Sequence, residues 1–159
     1  HPHLVDRLII ANGVHPVPFQ QALASGGEQP AASQYIPWLR QPGVEAELSA
    51  NGFEKLQALF ATHMDMSWLS GARLRASPLQ VAKPGQPIAM PALPLARLTV
   101  PQPHLLLWGD GDTALLPETT LGLEEFAPQL TRITIAGCDH WLHHQKPKDL
   151  AEAILNWNP

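Results

Sequence analysis

Two short apolar runs, each ended by a turn, constrain the fold of this chain more than any other feature of the sequence. The first, Leu8–Ala11, is followed by Asn12-Gly13, and the second, His104–Trp108, is followed by Gly109-Asp110-Gly111-Asp112. A strand that is apolar at successive positions is buried on both faces, as the strands of a parallel sheet are. The sequence therefore predicts two buried parallel strands, each ending in a tight turn.

The last third of the chain alternates predicted strands and helices. Pro117 suits the first position of a helix that extends to about Phe126, and Pro147 suits the start of a last helix. Between the two helices, Arg132–Gly137 is predicted as a third strand and Cys138–His144 as a loop. This alternation is typical of an α/β fold with a parallel sheet.

Residues 15–100 have a different character, because short helical patterns and prolines replace the apolar runs. Helices are predicted at five places, namely Gln20–Ser25, Ala31–Leu39, Val44–Ser49, Phe53–Phe60 and Trp68–Arg75. Ser77–Pro103 is so rich in proline that we expect an extended strap without regular structure. The sequence thus predicts an α/β core of residues 1–14 and 101–159, into which residues 15–100 are inserted as a mostly helical segment with a proline-rich strap.

The composition excludes several classes of protein. Hydrophobic residues make up 45% of the 159 residues and charged residues 15%, which is not the composition of a disordered chain. The net charge is −4 and the ten Lys and Arg residues are scattered, so we expect no nucleic-acid partner. No run reaches the roughly 18 apolar residues of a membrane span, and the first residues lack the pattern of a signal peptide. We therefore expect a cytoplasmic protein with no membrane partner.

The cysteine and histidine residues give no support for a metal centre. Cys138 is the one cysteine of the chain, which excludes an intramolecular disulfide and a multi-cysteine zinc site. His140, His143 and His144 have no carboxylate or thiol at a supporting helical spacing, so we expect no metal and no cofactor. Cys138 precedes His140 on a tight turn, and we interpret this cysteine as structural.

Asp112 and His140 follow successive predicted strands, where the functional groups of an open parallel sheet collect. A carboxylate and an imidazole brought together there form two members of a nucleophile–histidine–acid triad. The acid fixes the tautomer of the ring and stabilises the imidazolium, and the ring transfers a proton. Taken singly, each residue is more often a turn former or a packed side chain, but their joint placement favours a catalytic site.

The segments that carry these two residues resemble a known family. Trp108–Pro117 and Gly137–Trp141 are similar to the C-terminal half of an α/β-hydrolase, and more narrowly to bacterial proteins of the epoxide hydrolase branch. The family pattern W-G-x-x-D supplies the acid and G-x-x-H-W the base, which match Asp112 and His140. The resemblance implies the C-terminal part of a hydrolase sheet with a helical cap inserted between its strands.

The resemblance also assigns residues to the cap. Residues 34–43 resemble the first cap helix, which implies that Tyr35 holds the epoxide oxygen in the manner of a cap tyrosine. Trp38 and Trp141 are then candidates for the lining of an apolar substrate pocket between cap and sheet. The family has a second cap tyrosine just before Arg75-Ala76-Ser77, where this chain has Leu74, and this departure puts epoxide opening in doubt more than hydrolysis in general.

The sequence contains no Gly-x-Asp-x-Gly or Gly-x-Ser-x-Gly elbow, so the nucleophile of the family is absent. The resemblance implies a fragment of a hydrolase that acts on a small apolar substrate such as an epoxide. A serine esterase fragment is the alternative, and a non-catalytic fragment that only folds and associates is another. We expect the 159 residues alone to be inactive. We also expect a homo-oligomer that covers the sheet edge at Leu8–Ala11 or exchanges the cap.

Overall fold

The computed structural model describes residues 2–55, 58, 94 and 97–159. Its sheet has three parallel strands, β1 (Leu8–Ala11), β2 (His104–Gly109) and β3 (Leu130–Ile135), with β2 in the centre. The register places Leu8, His104 and Leu130 in one row across the sheet. The predicted α/β class with a parallel sheet is confirmed.

Helices of four to ten residues accompany the sheet within the described residues. They are α1 (Pro16–Ala24), α2 (Gln29–Ala32), α3 (Tyr35–Leu39), α4 (Val44–Ser49), α5 (Leu142–Gln145) and α6 (Pro147–Asn156). Short 3-10 turns occur at Pro2–Leu4, Ala50–Phe53, Pro117–Thr120 and Leu123–Glu125. Within these described ranges, no helix has the length and apolar character that crossing a membrane requires.

β2 is buried along its whole length because both faces of the sheet are covered there. On one face Leu105 and Leu107 pack in a cluster with Cys138 and Leu142, against which the apolar side of α6 lies. On the other face Leu106 and Trp108 pack with Leu123 and Ala127. This two-sided burial is the physical reason for the uninterrupted apolar run in the sequence.

β1 differs from the prediction, which has this strand buried on both faces. Its side chains alternate between half-buried and exposed, and Ile9 is 40% exposed. The reason is its position, since β1 lies at the edge of the sheet and pairs only with β2 within the described residues. An apolar strand thus lies at an exposed sheet edge.

The helix predicted from Pro117 to Phe126 is wrong. The segment forms two 3-10 turns instead, and Gly122 between them has a left-handed backbone with φ of 75°. The hydroxyl groups of Thr119 and Thr120 donate hydrogen bonds to carbonyl groups three residues earlier, which favours turns over a continuous helix.

Other helix boundaries also differ from the predicted ones. α1 begins at Pro16 rather than Gln20, because proline suits the first turn of a helix and the ring of His15 accepts the hydrogen bond of the Val17 amide. The predicted helix Ala31–Leu39 is divided into α2 and α3, and the predicted loop before Pro147 contains the short α5. The predicted helix Val44–Ser49 is confirmed as α4.

Several predictions fall outside the described residues. These are half of the predicted helix Phe53–Phe60, the whole of the predicted helix Trp68–Arg75 and most of the strap Ser77–Pro103. The position of Leu74, where a second cap tyrosine is expected, lies there as well.

The contacts divide the chain into two compact units. The first comprises His1–Ala32 with Ala92–Pro159 and contains the sheet, and the second comprises Ser33–Pro91. Residues 15–32 are predicted to belong to the insertion, but they lie in the first unit, where α1 packs against the turn Pro117–Thr120. In the second unit, α4 begins after the left-handed Gly43 and buries Val44 and Leu48, which lie on the same side of the helix.

Gln29 connects the start of α2 to the loop that follows β2. Its side chain is completely buried, its amide donates to the carbonyl of Ala114 at 2.9 Å, and its side-chain oxygen accepts the amide of Leu116 at 2.8 Å. The backbone amide of Gln29 donates to the carboxylate of Glu118. One buried side chain therefore satisfies two backbone groups of the loop, which would otherwise be costly to bury.

We predict that Gln29→Ala lowers the free energy of unfolding by about 2–4 kcal/mol, because a carbonyl and an amide of the loop lose their buried partner. Urea unfolding followed by circular dichroism measures the change. The matched control is Gln21→Ala on the exposed side of α1, which should change stability by less than about 0.5 kcal/mol. Equal effects of the two substitutions would contradict the assigned role of Gln29.

Candidate active site

Asp112 and His140 lie in the loops that follow β2 and β3, and their side chains are joined by a hydrogen bond. Nδ1 of the imidazole is 2.8 Å from Oδ2 of the carboxylate. Because a carboxylate oxygen accepts, Nδ1 is the nitrogen that carries the proton. The predicted contact is confirmed, and Nε2 is the ring nitrogen that remains for proton transfer.

The carboxylate of Asp112 has no exposed surface and accepts four hydrogen bonds. Oδ1 accepts the backbone amides of Ala114 and Leu115, both at 2.9 Å. Oδ2 accepts the side-chain amide of Asn12 at 2.8 Å as well as the imidazole of His140. The full set of donors compensates for the removal of a carboxylate from water.

The loop after β2 approaches the loop after β3 closely because it contains glycine. A Cβ atom on Gly109 would lie 2.7 Å from the carbonyl oxygen of Cys138, so a larger residue would push the loops apart. The amide of Gly111 donates to that same carbonyl at 2.9 Å. Glycine at both positions therefore lets Asp112 reach His140.

The loop that carries His140 is held from both sides. Before it, the amide of Gly137 donates to the carboxylate of Asp110 at 2.8 Å. Next to it, the carboxylate of Asp139 accepts the amides of Trp141 and of the Gln145 side chain, each at 2.9 Å. These bonds tie the loop to α5 and restrict the position of the ring.

Asn12 belongs to the site but was interpreted from the sequence only as part of a turn. Its side chain donates to Asp112 and to the carbonyl of Asp139, and accepts the amide of Gly109 at 2.8 Å. These contacts join residues about a hundred positions apart. The sequence does carry one indication, since Asn12 directly follows an apolar strand at the sheet edge where functional side chains collect.

The other predicted site residues lie in both units. Trp141 packs edge-on against His140, with ring centres 5.6 Å apart. Tyr35 and Trp38 are half-buried residues of α3 in the second unit. The structure thus brings Asp112, His140 and Trp141 together within the first unit, whereas the roles of Tyr35 and Trp38 stay predictions.

Two neighbouring groups have altered acidity. Burial lowers the pKa of His143, and the rings of His144 and His140 lower it further. Burial raises the pKa of Cys138, and the nearby carboxylates of Asp110 and Asp139 act in the same direction. Cys138 therefore stays a thiol whose sulfur donates to the carbonyl of Ile135, and a neutral buried thiol is a poor nucleophile.

The described part of the first unit also contains a cavity of about 270 Å³ against β2 and β3. Leu106, Trp108 and Ile133 supply much of its apolar lining, and Arg132 its cationic part. Asp110 lines the cavity, but Asp112 and His140 do not. This cavity is distinct from the substrate pocket predicted beside His140.

Among the residues that the structure describes, no group of three His, Cys, Asp or Glu is placed to hold a metal ion.

The sheet, with an aspartate after β2 and a histidine after β3, matches part of the α/β-hydrolase fold. A solved epoxide hydrolase from Bacillus megaterium superposes with a TM-score of 0.71 at 23% identity, over 98% of this chain and 61% of that one. An epoxide hydrolase of the α/β-hydrolase superfamily from hot-environment metagenomes gives a TM-score of 0.65 at 29% identity, over 94% of this chain and 58% of that one.

The sequence relatives are epoxide hydrolases. The chain is 29% identical to human epoxide hydrolase 4 over 174 aligned residues, which cover 98% of this chain and 47% of the relative. No protein-family model matches the chain. The chain spans about half the length of the curated relatives it matches, and the resemblance to an epoxide hydrolase over part of its length is confirmed.

We predict that Asp112→Ala destabilises the chain by about 3–5 kcal/mol, because His140, Asn12 and two loop amides lose a buried acceptor together. The matched control is Asp110→Ala, two residues earlier, where an exposed carboxylate accepts a hydrogen bond from the amide of Gly137. The control should cost about 1 kcal/mol or less. Urea unfolding of both variants measures the difference, and an effect of Asp112→Ala no larger than that of Asp110→Ala would contradict the role assigned to the buried carboxylate.

Proposed function

We propose that this chain carries the acid, the base and the cap of an epoxide hydrolase, with the nucleophile supplied by residues outside it. The observation that carries the proposal is the bond between His140 Nδ1 and the buried carboxylate of Asp112. The bond fixes the tautomer that a general base requires, and the sequence relatives over the whole chain are epoxide hydrolases.

The proposed reaction has two steps. A carboxylate nucleophile opens the epoxide ring by attacking carbon, which forms an ester and an alkoxide that takes up a proton. His140 Nε2 then accepts a proton from water as the oxygen of that water attacks the ester carbonyl, while Asp112 stabilises the imidazolium. The tetrahedral intermediate then collapses and releases the diol, whose oxygen takes the proton of the new carboxyl group, so the carboxylate nucleophile is restored. The imidazolium returns the proton that it took from water to the group that protonated the first alkoxide.

We propose that the second unit, Ser33–Pro91, acts as the cap and that the substrate is a small apolar epoxide. Tyr35 would donate its phenol proton in a hydrogen bond to the epoxide oxygen, which stabilises the developing alkoxide. Trp38 and Trp141 would line the apolar pocket. The edge-on packing of Trp141 against His140 supports this part of the proposal, since it places an apolar surface beside the base.

We predict that the 159-residue chain alone does not hydrolyse styrene oxide or a nitrophenyl ester, because an acid–base pair without a nucleophile or oxyanion donors lacks the largest contributions to the rate. Product formation is measured by chromatography, with His140→Ala as the reference. Turnover by the chain that disappears in His140→Ala would contradict the proposal.

A second prediction concerns a polypeptide that joins this chain to the nucleophile-bearing half of an epoxide hydrolase. In that protein His140→Gln should form the ester with the epoxide but hydrolyse it at least about a thousandfold more slowly. Mass spectrometry of the intact protein detects the ester as a mass increase equal to the substrate. The control variant is His144→Gln at an exposed neighbouring histidine, and it should hydrolyse the epoxide at the rate of the unmodified protein. If His140→Gln forms no covalent adduct, the histidine activates the nucleophile itself, as in a serine esterase.

We also propose that copies of this chain associate through the exposed edge of β1. Ile9 on this strand and Val5 before it are 40% and 43% exposed, and alternate backbone groups of an edge strand have no partner in its sheet. At micromolar concentration we predict a dimer or larger species by sedimentation, with an interface of about 1,600 Å² in total. Ile9→Lys should shift the protein to monomer, whereas Leu155→Lys on α6 should not. A monomeric unmodified chain would contradict this proposal.

A further inference from the structure

We infer that Asn12 is the positioning residue of the acid–base pair, in which one amide group holds the loop of Asp112 and the loop of His140 at a fixed separation. This inference rests on the proposed role of His140 as a base. It assigns a function to a residue that takes no part in the proton transfer itself.

The contacts of the Asn12 side chain use every hydrogen of its amide. Nδ2 donates to Oδ2 of Asp112 at 2.8 Å and to the carbonyl oxygen of Asp139, the residue before His140, at 3.0 Å. Oδ1 accepts the amide of Gly109 at the end of β2. A single planar group therefore connects the end of β1 with both loops that carry the pair.

The backbone of Asn12 directs the side chain toward these partners. The amide of Asn12 donates to the carbonyl of Leu107 at 2.9 Å, which completes the pairing of β1 with β2, and the residue is only 4% exposed. Its φ of 42° lies in the left-handed region, which few side chains tolerate. Glycine would fit this backbone but has no side-chain amide.

Aspartate also tolerates this backbone but does not fit the contacts. An aspartate at position 12 would present an acceptor oxygen where Nδ2 meets two other acceptors, the carboxylate of Asp112 and the carbonyl of Asp139. Asparagine alone combines tolerance of the left-handed backbone with two donors and one acceptor on one short side chain.

The remaining bonds show what Asn12 controls. Oδ1 of Asp112 is held by amides of its own loop, and these bonds do not involve Asn12. The loop of His140 keeps its bonds to Asp110 and to the amide of Gly111. Loss of the Asn12 amide would therefore leave the fold in place and release the alignment of Oδ2 with the imidazole.

The test is the exchange rate of the Nδ1 proton of His140 with water, measured by NMR on the chain labelled with ¹⁵N-histidine. We expect a slowly exchanging proton in the unmodified chain and at least about tenfold faster exchange in Asn12→Gly, which keeps the backbone but removes the amide. The matched control is Asn51→Gly, the same change at an exposed asparagine with φ of 51° in the second unit, which should leave the rate unchanged.

The backbone amides of Leu106 and Leu107 in the buried β2 separate positioning from general stability. If Asn12→Gly accelerates the His140 proton but not these amides, the role is positioning. An unchanged His140 rate, or the same acceleration at all three sites, would overturn the inference. If Asn12→Gly does not fold, Asn12→Asp replaces it, because aspartate tolerates the left-handed backbone and lacks both amide donors, and it should accelerate the exchange in the same way. The exchange of the His140 proton is measured without any substrate. A chain that lacks the proposed hydrolase activity can therefore still show the effect of Asn12, so the two failures are distinguishable.

Discussion

The need to satisfy a buried carboxylate organises the functional end of this sheet. The side chain of Asp112 is without exposed surface, and an ion removed from water is stable only with a full set of donors. Its donors come from three places: the end of β1, the loop after β2 and the loop after β3. The loops approach one another because this group requires them all, and the imidazole is one of the four partners.

The sequence predicted those parts of the structure that depend on local pattern. The apolar run at His104–Trp108 and the glycines after it determine a buried strand and a turn, and the acid and the histidine follow from their place after successive strands. The helix predicted at Pro117–Phe126 was wrong, because the threonine hydroxyls and Gly122 compete with helical bonding there. Asn12 was missed as a site residue, because its partners lie 97, 100 and 127 positions away.

In the insertion too, local sequence determines a helix, whereas contacts between distant residues determine where other helices pack. Val44–Ser49 forms the predicted helix, since its spacing and the preceding Gly43 are sufficient for a short helix. The segment before it was grouped by composition with the insertion, yet α1 and α2 pack in the unit that contains the sheet. That packing depends on Gln29, a polar residue whose complete burial no hydrophobic pattern could indicate.

The hydrogen bonds that Gln29 makes to the loop after β2 affect which parts of the chain can change in length or sequence. Gln29, Ala114 and Leu116 all lie in the unit that contains the sheet, so the hydrogen bonds that hold this loop after Asp112 are formed within that unit. Insertions and deletions succeed where few backbone hydrogen bonds are lost. The second unit, Ser33–Pro91, can therefore change in length and sequence while the geometry around Asp112 is preserved.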